Sequence, residues 1–345
     1  MYVLKAFGNE MSLSITDIKK FYGCSIIMGC LNFPKMRMYW AKATRIELIA
    51  NSMSRDRFIQ LRSNIHFADT SEPSSINKFW RIQPVVNLVR ERCNQLATEI
   101  TSYSIDKQMV PFSGKRSKTQ DQNLGADTCP DTGLGHGPSI ILRLTKFMPK
   151  GSHIYFHRFF TTVPLIAKLY SMGFKRTGTI MSNSLGKNFN FPIDKNMKQG
   201  EISQFVKNDQ VAAVKWCDTK CVIATSNKCG KNPIGEVKRW HNTVKRRLPI
   251  PIPYNANMGD VDICDQMIQY YRINMKTKKW SVKAYFHFFD LAILNSWMEY
   301  RNDATLLNMK RKDVKQFLGF KFEIGEVLCK FKDEPLEIVN EFALP

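Results

Sequence analysis

The stretch Tyr254–Trp280 reads YNANMGDVDICDQMIQYYRINMKTKKW, and the rest of the chain is organised around it. The segment after Gly259 predicts a helix in which Asp262, Asp265, Gln266 and Gln269 fall at i, i+3, i+4 and i+7, on one face. Val261, Cys264, Ile268 and Tyr271 form a second, apolar stripe. Beyond it the charge reverses, with Arg272, Lys276, Lys278 and Lys279 leading into Trp280. Clustered carboxylates beside clustered cations, with an aromatic among them, suit a divalent metal held next to a phosphate backbone. A solvated amphipathic helix with ordinary surface charge fits this segment equally well.

The composition sets the bounds around that stretch. A chain of 345 residues with 43% hydrophobic content has room for two or three domains with real cores. Its formal net charge of +21 is spread in short clusters such as Lys245-Arg246-Arg247 and Lys310-Arg311-Lys312, which points to a polyanion, nucleic acid before anionic membrane. No apolar run reaches the roughly 18 residues needed to span a bilayer, because Phe286–Trp297 is interrupted by His287, Asp290 and Asn295. No cleavable signal precedes Ser12. Nine cysteines at irregular spacing then read as reduced intracellular thiols. Cys217, Cys221 and Cys229 lack the paired C-x2-C spacing of a zinc site and read as packing thiols.

Read from its N-terminus, the chain opens as a helical block. Helices are predicted from Ser14 to about Leu31, Arg45 to Met53, Ser54 through Ile65, and Val85 to Ile100, the last with Pro84 in its first turn. Arg55, Arg57 and Arg62 on this block serve solubility as well as they serve DNA. The period changes to two at Tyr103–Phe112, a predicted strand with Asp106 inside it. A carboxylate there costs stability unless it is paired or binds a cation. Ser113–Pro138 is a turn-rich run with no predicted element. Helix 139–147, strand 153–160, helix 164–172 and strand 176–182 follow, the alternation of an α/β fold. Strands over 207–223 and 235–240 predict a separate, smaller β-rich unit. A long helix, Val282–Arg301, and a mixed tail through Pro345 without a Cys/His cluster complete the chain.

In this order the chain resembles the piggyBac-type transposases, in their transposable element-derived branch. The matching residues are Trp40, Met53–Phe58, Ile65–Asp69, Tyr103–Gly114, Ile154–Thr162, Gly235–Trp240, Met258–Gln266, Lys278–Trp280, Phe286–Asp290 and Asn295. The resemblance implies an RNase H-like core in which three aspartates hold two divalent ions, Mg2+ or Mn2+, about 4 Å apart across the scissile phosphate of double-stranded DNA. It also implies a helical dimerisation and DNA-binding region over 1–101, core segments over 102–182 and 254–305, a β-rich insertion over 183–253 and a tail over 306–345 without a zinc module. A homodimer and nuclear residence belong to the same implication. By position Asp106 and Asp262 match the first and third catalytic carboxylates and are the implied metal ligands. Asp265 matches a supporting acid, and Arg246, Arg247, Arg272, Lys276, Lys278, Lys279 and Trp280 the DNA contacts.

The chain departs from that pattern at the second carboxylate. His157 stands there, followed by Arg158, and Lys107 replaces a usual acid beside Asp106. An imidazole binds Mg2+ poorly and brings no negative charge. Between Gly114 and Leu134 about thirty residues of family sheet are missing, two strands at ordinary lengths, which predicts an unpaired edge at the strand of Asp106. The Pro249–Pro253 lead into Tyr254 is short, and the chain begins inside the helical block and ends before any cysteine-rich module. The expectation is a DNA-binding remnant of a DDE-type cut-and-paste transposase, catalytically impaired. The alternative is an active metal-dependent transposase or nuclease that recruits Asp121, Asp127 or Asp131 as a substitute ligand.

Overall fold

Ser14 starts the first long helix by a reciprocal cap. Its hydroxyl accepts the Asp17 N–H at 3.0 Å, and the Asp17 carboxylate accepts the Ser14 N–H at 3.3 Å. The structure, a computed structural model, describes residues 5–6, 9–10, 13–69, 79–96, 101–106, 132–186, 189–207, 211–217, 219–232, 234–241, 244–251, 260–275 and 277–332. Within these, β1 (Lys5–Ala6) and β2 (Asn9–Glu10) pair with each other, and α1 (Ile15–Leu31) follows. Asn32 closes α1 in the left-handed region at φ 50°, donating its N–H to Met28 O. The helical block continues as α2 (Glu47–Ser52), α3 (Arg55–Asn64) and α4 (Gln83–Leu96).

The α/β part runs β3 (Ser102–Ile105), α5 (His136–Leu144), β4 (His153–Phe156), α6 (Val163–Ser171) and β5 (Lys175–Thr179), then β6 (Ile202–Lys207), β7 (Val211–Cys217) and β8 (Cys221–Ser226). These strands form one mixed sheet in the order β3-β4-β5-β8-β7-β6, parallel from β3 to β5 and antiparallel beyond. The separate β-rich unit expected over 207–223 is therefore corrected, because β8 pairs with β5 and carries β7 and β6 into the main sheet. β9 (Ile234–His241) and β10 (Val244–Pro251) stand apart from it as a two-stranded sheet. β3 lies at the sheet edge among the described residues, paired on one side with β4 through all four of its residues.

Strand β4 ends at Phe156, sooner than the predicted strand, because a turn closed by the Phe160 N–H on His157 O begins there. All four β4 residues are buried, with Ile154 and Phe156 packing on Ile141 of α5 and Leu165 and Leu169 of α6. Helices on this face of a parallel sheet follow from the crossover each parallel pair requires.

The chain then enters α7 (Asp260–Tyr270), α8 (Trp280–Leu306) and α9 (Phe317–Cys329). The mixed tail of the sequence reading thus contains a helix that is packed against α1. One apolar core joins the two ends of the chain, with Ile26 and Ile27 of α1, Phe58 of α3, Phe286 and Trp297 of α8 and Phe317 of α9 in it. Each such side chain contributes on the order of 2 kcal/mol when fully buried. No helix among the described residues is long and apolar enough to cross a membrane.

Candidate functional site

Two parallel strands deliver the first two candidate residues. Ile105 pairs with Phe156 on the last rung of the β3–β4 ladder, so Asp106 and His157 each follow one residue later at the carboxyl ends of neighbouring strands. Neighbouring strands lie about 5 Å apart. Both residues are half-buried. Carboxyl ends of parallel strands are where open α/β sheets place ligands.

Helix α7 supplies the rest of the acidic set and packs against β3. Its two predicted faces are present. Ile268 is buried with Val261, Cys264 and Tyr271 half-buried, whereas Asp262, Gln266 and Gln269 are exposed and Asp265 is half-buried. The helix bearing Asp262 and Asp265 therefore lies beside the strand that leads to Asp106.

The turn after β4 is held by groups that sequence reasoning missed. Arg176 of β5 is fully buried, and its guanidinium donates to Thr161 Oγ1 at 2.6 Å and to Thr225 O at 3.0 Å while stacking over the Phe156 ring. Thr161 in turn donates to His157 O at 3.3 Å. A Cβ at Gly178 would sit 2.0 Å from Phe156 O, so only glycine lets β5 approach the end of β4 this closely. Thr161 falls inside the Ile154–Thr162 match, but nothing in a single sequence couples it to Arg176 or Gly178.

The donor set at the strand ends is one carboxylate and one imidazole. Among the described residues no three His, Cys, Asp or Glu side chains gather into a group that could hold a metal ion. This set does not fit a pair of hard dications that take oxygen ligands. Asp121, Asp127 and Asp131, the substitute carboxylates of the alternative reading, lie outside the described residues.

The candidate cations divide into two groups. Arg272 lies half-buried just beyond α7, Lys278 and Lys279 are exposed, and Lys276 is outside the described residues. Lys279 donates to Ser63 O at 2.8 Å, and Trp280 meets Phe79 edge to face, so both also tie α8 to the helical block. Arg57 is occupied by Asp17 at 2.8 Å. Arg246 and Arg247 lie on β10, where the register sets Arg246 opposite Arg239 and Arg247 opposite Lys238. Like charges directly across an antiparallel pair repel unless an anion lies over them.

A mixed sheet with one acid and one imidazole at neighbouring parallel strand ends, flanked by helices that carry cations, is a fold shared with transposases. The family model of Transposase IS4 matches residues 3–129 and 126–297, and the chain belongs to the piggyBac-type transposases within that family. It is 27% identical to human PiggyBac transposable element-derived protein 3 over 359 residues, 90% of this chain and 60% of that protein. Human PiggyBac transposable element-derived protein 2 is 26% identical over 85% of this chain and 56% of its own length. The chain thus spans less than two thirds of these relatives. Its fold matches the piggyBac transposase of a synaptic complex with hairpin DNA at a TM-score of 0.73, with 19% identity, over 94% of this chain and 74% of that one.

Proposed function

We propose that this chain is a transposase-derived protein with an RNase H-like core, which binds double-stranded DNA in the nucleus through its cations and does not carry out strand transfer. The observation that carries the reading is that Asp106 and His157 each follow the last rung of the β3–β4 ladder, where the two-metal reaction requires two acids. One ligand and one negative charge are lost from a cluster whose task is to concentrate two dications, and a neutral imidazole does not replace them. Helix α7, lying against β3, keeps Asp262 and Asp265 near this point. The net charge of +21 and the basic residues that the β9–β10 register sets opposite one another support retained affinity for a phosphate backbone. The relatives' names support descent from a transposable element.

The test is incubation of the full chain with labelled double-stranded DNA and Mg2+ or Mn2+. Retarded but uncut DNA is expected, both for the natural chain and for His157→Asp, since the sequence also departs from the family pattern between Gly114 and Leu134. Metal-dependent cleavage by the natural chain would refute the proposal.

A further inference from the structure

The ends of α1 and α7, the turn after α7 and one face of α8 enclose a cavity of about 260 Å3. Its polar lining is Asn32, Gln269, Arg272, Asn274, Lys283 and His287. Lys283 and His287 stand one helical turn apart on α8 and so face the cavity together. Arg272 enters from the turn, and that turn is fixed on several sides. Asp290 accepts the Ile273 N–H at 3.0 Å, Lys321 donates to Tyr271 O at 2.8 Å, and a Cβ on Gly29 would meet the Tyr271 and Arg272 carbonyls at 3.1 and 3.2 Å. The cations are thus held in place by the fold before any ligand arrives.

Two cations, Arg272 and Lys283, line the cavity. Burial, then Arg272 and Arg62, push the Lys283 ammonium below its ordinary value, and burial, then Arg272, do the same to His287 against an opposing contribution from Asp265. The carboxyl ends of α1 and α7 present only partial negative charges, against the full charges of Arg272 and Lys283. An oxyanion would relieve the crowding and receive a guanidinium fork, an ammonium and side-chain amides. The cavity is smaller than the roughly 300 Å3 lower bound of drug-sized sites, which suits one phosphate with part of its ester substituent.

Gln269 lines the cavity and lies on the same face of α7 as Asp262, seven residues and so about 10 Å further along the axis. A DNA strand covers that distance in about three nucleotides at 3.4 Å each. We infer that this cavity holds a single phosphate group, and that the phosphate belongs to a DNA strand laid along the exposed face of α7. The assignment to DNA rests on the proposed DNA-binding role; the phosphate site does not.

The test uses the full chain and two probes, inorganic phosphate followed by 31P NMR and duplex DNA followed by fluorescence anisotropy. Lys283→Gln is compared with Lys283→Arg and with Lys195→Gln, an exposed cation elsewhere that carries the same charge change. Circular dichroism checks that each is folded. Lys283→Gln is expected to weaken both phosphate and DNA by about 10-fold, Lys283→Arg to retain both, and free phosphate to compete with DNA. Phosphate bound equally by the natural chain and Lys283→Gln, or by neither, overturns the site. Weakened phosphate with unchanged DNA keeps the site for a free phosphate ester and overturns its assignment to the strand. A natural chain that binds phosphate in this way but no DNA sinks the DNA-binding role alone.

Discussion

Lys321 Nζ lies 2.5 Å from Asp290 Oδ1, and both side chains are 1% exposed, joining α9 to the middle of α8. The pair is satisfied beyond itself, since Asp290 also accepts the Ile273 N–H and Lys321 also donates to Tyr271 O. Burial pushes the Asp290 carboxyl up, and Lys321 and the Ile273 N–H oppose it. Lys321→Met strands a buried carboxylate and should cost about 3–5 kcal/mol in urea unfolding near neutral pH. The double change Lys321→Met with Asp290→Leu removes the stranded charge and should recover most of that loss. A single variant as stable as the natural chain would mean that the pair contributes nothing.

The close approach of α9 to α1 gives a second prediction, based on two glycines with opposite roles. A Cβ at Gly23 would sit 2.6 Å from Cys329 N and 2.8 Å from Gly325 O, both backbone atoms that cannot swing aside. Gly23→Ala should therefore cost about 1–3 kcal/mol. Gly319, on the exposed side of α9, meets nothing within 4 Å. Gly319→Ala should stabilise by up to about 1 kcal/mol through helix propensity alone. Thermal melts of the two variants should move in opposite directions.

These two contacts also mark where the sequence stopped being legible. The two-faced character of α7 was readable because every position of its apolar stripe is apolar or aromatic. The buried stripe of α9 is Phe317, Lys321, Gly325 and Cys329, at spacing four, and a lysine and a glycine occupy its centre. A charged residue and a residue without a side chain leave no apolar period to detect, so the segment read as part of a mixed tail. Asp290 was hidden in the same way, because in one dimension it interrupts an apolar run and only its partner 31 residues later explains its burial. The α5-β4-α6-β5 alternation was legible from local period, whereas the joining of β8 to β5 depends on pairing between residues about 50 apart. At the site, the strand leading to Asp106 and the helix bearing Asp262 were legible from period, a shared role for them and for position 157 was suggested only by family likeness, and the support given to the turn by Arg176 and Thr161 could not be read at all.

His153 at the start of β4 predicts an acid limit to stability. It is buried, hydrogen-bonded to Thr177 Oγ1 at 2.9 Å and Tyr155 Oη at 3.0 Å, and burial, followed by Lys228, Lys175 and Arg176, lowers its pKa to about 4. The folded state holds the neutral ring while the unfolded chain protonates near pH 6.5. The contribution is fully present above pH 6.5 and is lost as pH falls toward 4, to an extent on the order of 3 kcal/mol. The melting temperature should drop across that window, and His153→Gln should flatten the drop. An unchanged pH profile in the variant would assign the acid sensitivity to other groups.

The β9–β10 hairpin gives the last prediction, because its register opposes a stability requirement to a binding one. The register sets Arg246 opposite Arg239 and Arg247 opposite Lys238, two like-charged residue pairs on neighbouring strands. Each such pair weakens a free hairpin by a few tenths to about 1 kcal/mol, a cost that an anion laid over the strands would reverse. Neutralising one member should therefore separate the two effects. Arg239→Gln should leave the free chain as stable as before or slightly more stable, while DNA affinity falls and the slope of log K against log salt becomes shallower by about one. Both readouts are needed, since a solvated hairpin predicts the gain in stability with no change in slope. An unchanged salt slope in Arg239→Gln would remove the hairpin from the DNA interface, and would leave the cations beyond α7 as the surface on which binding depends.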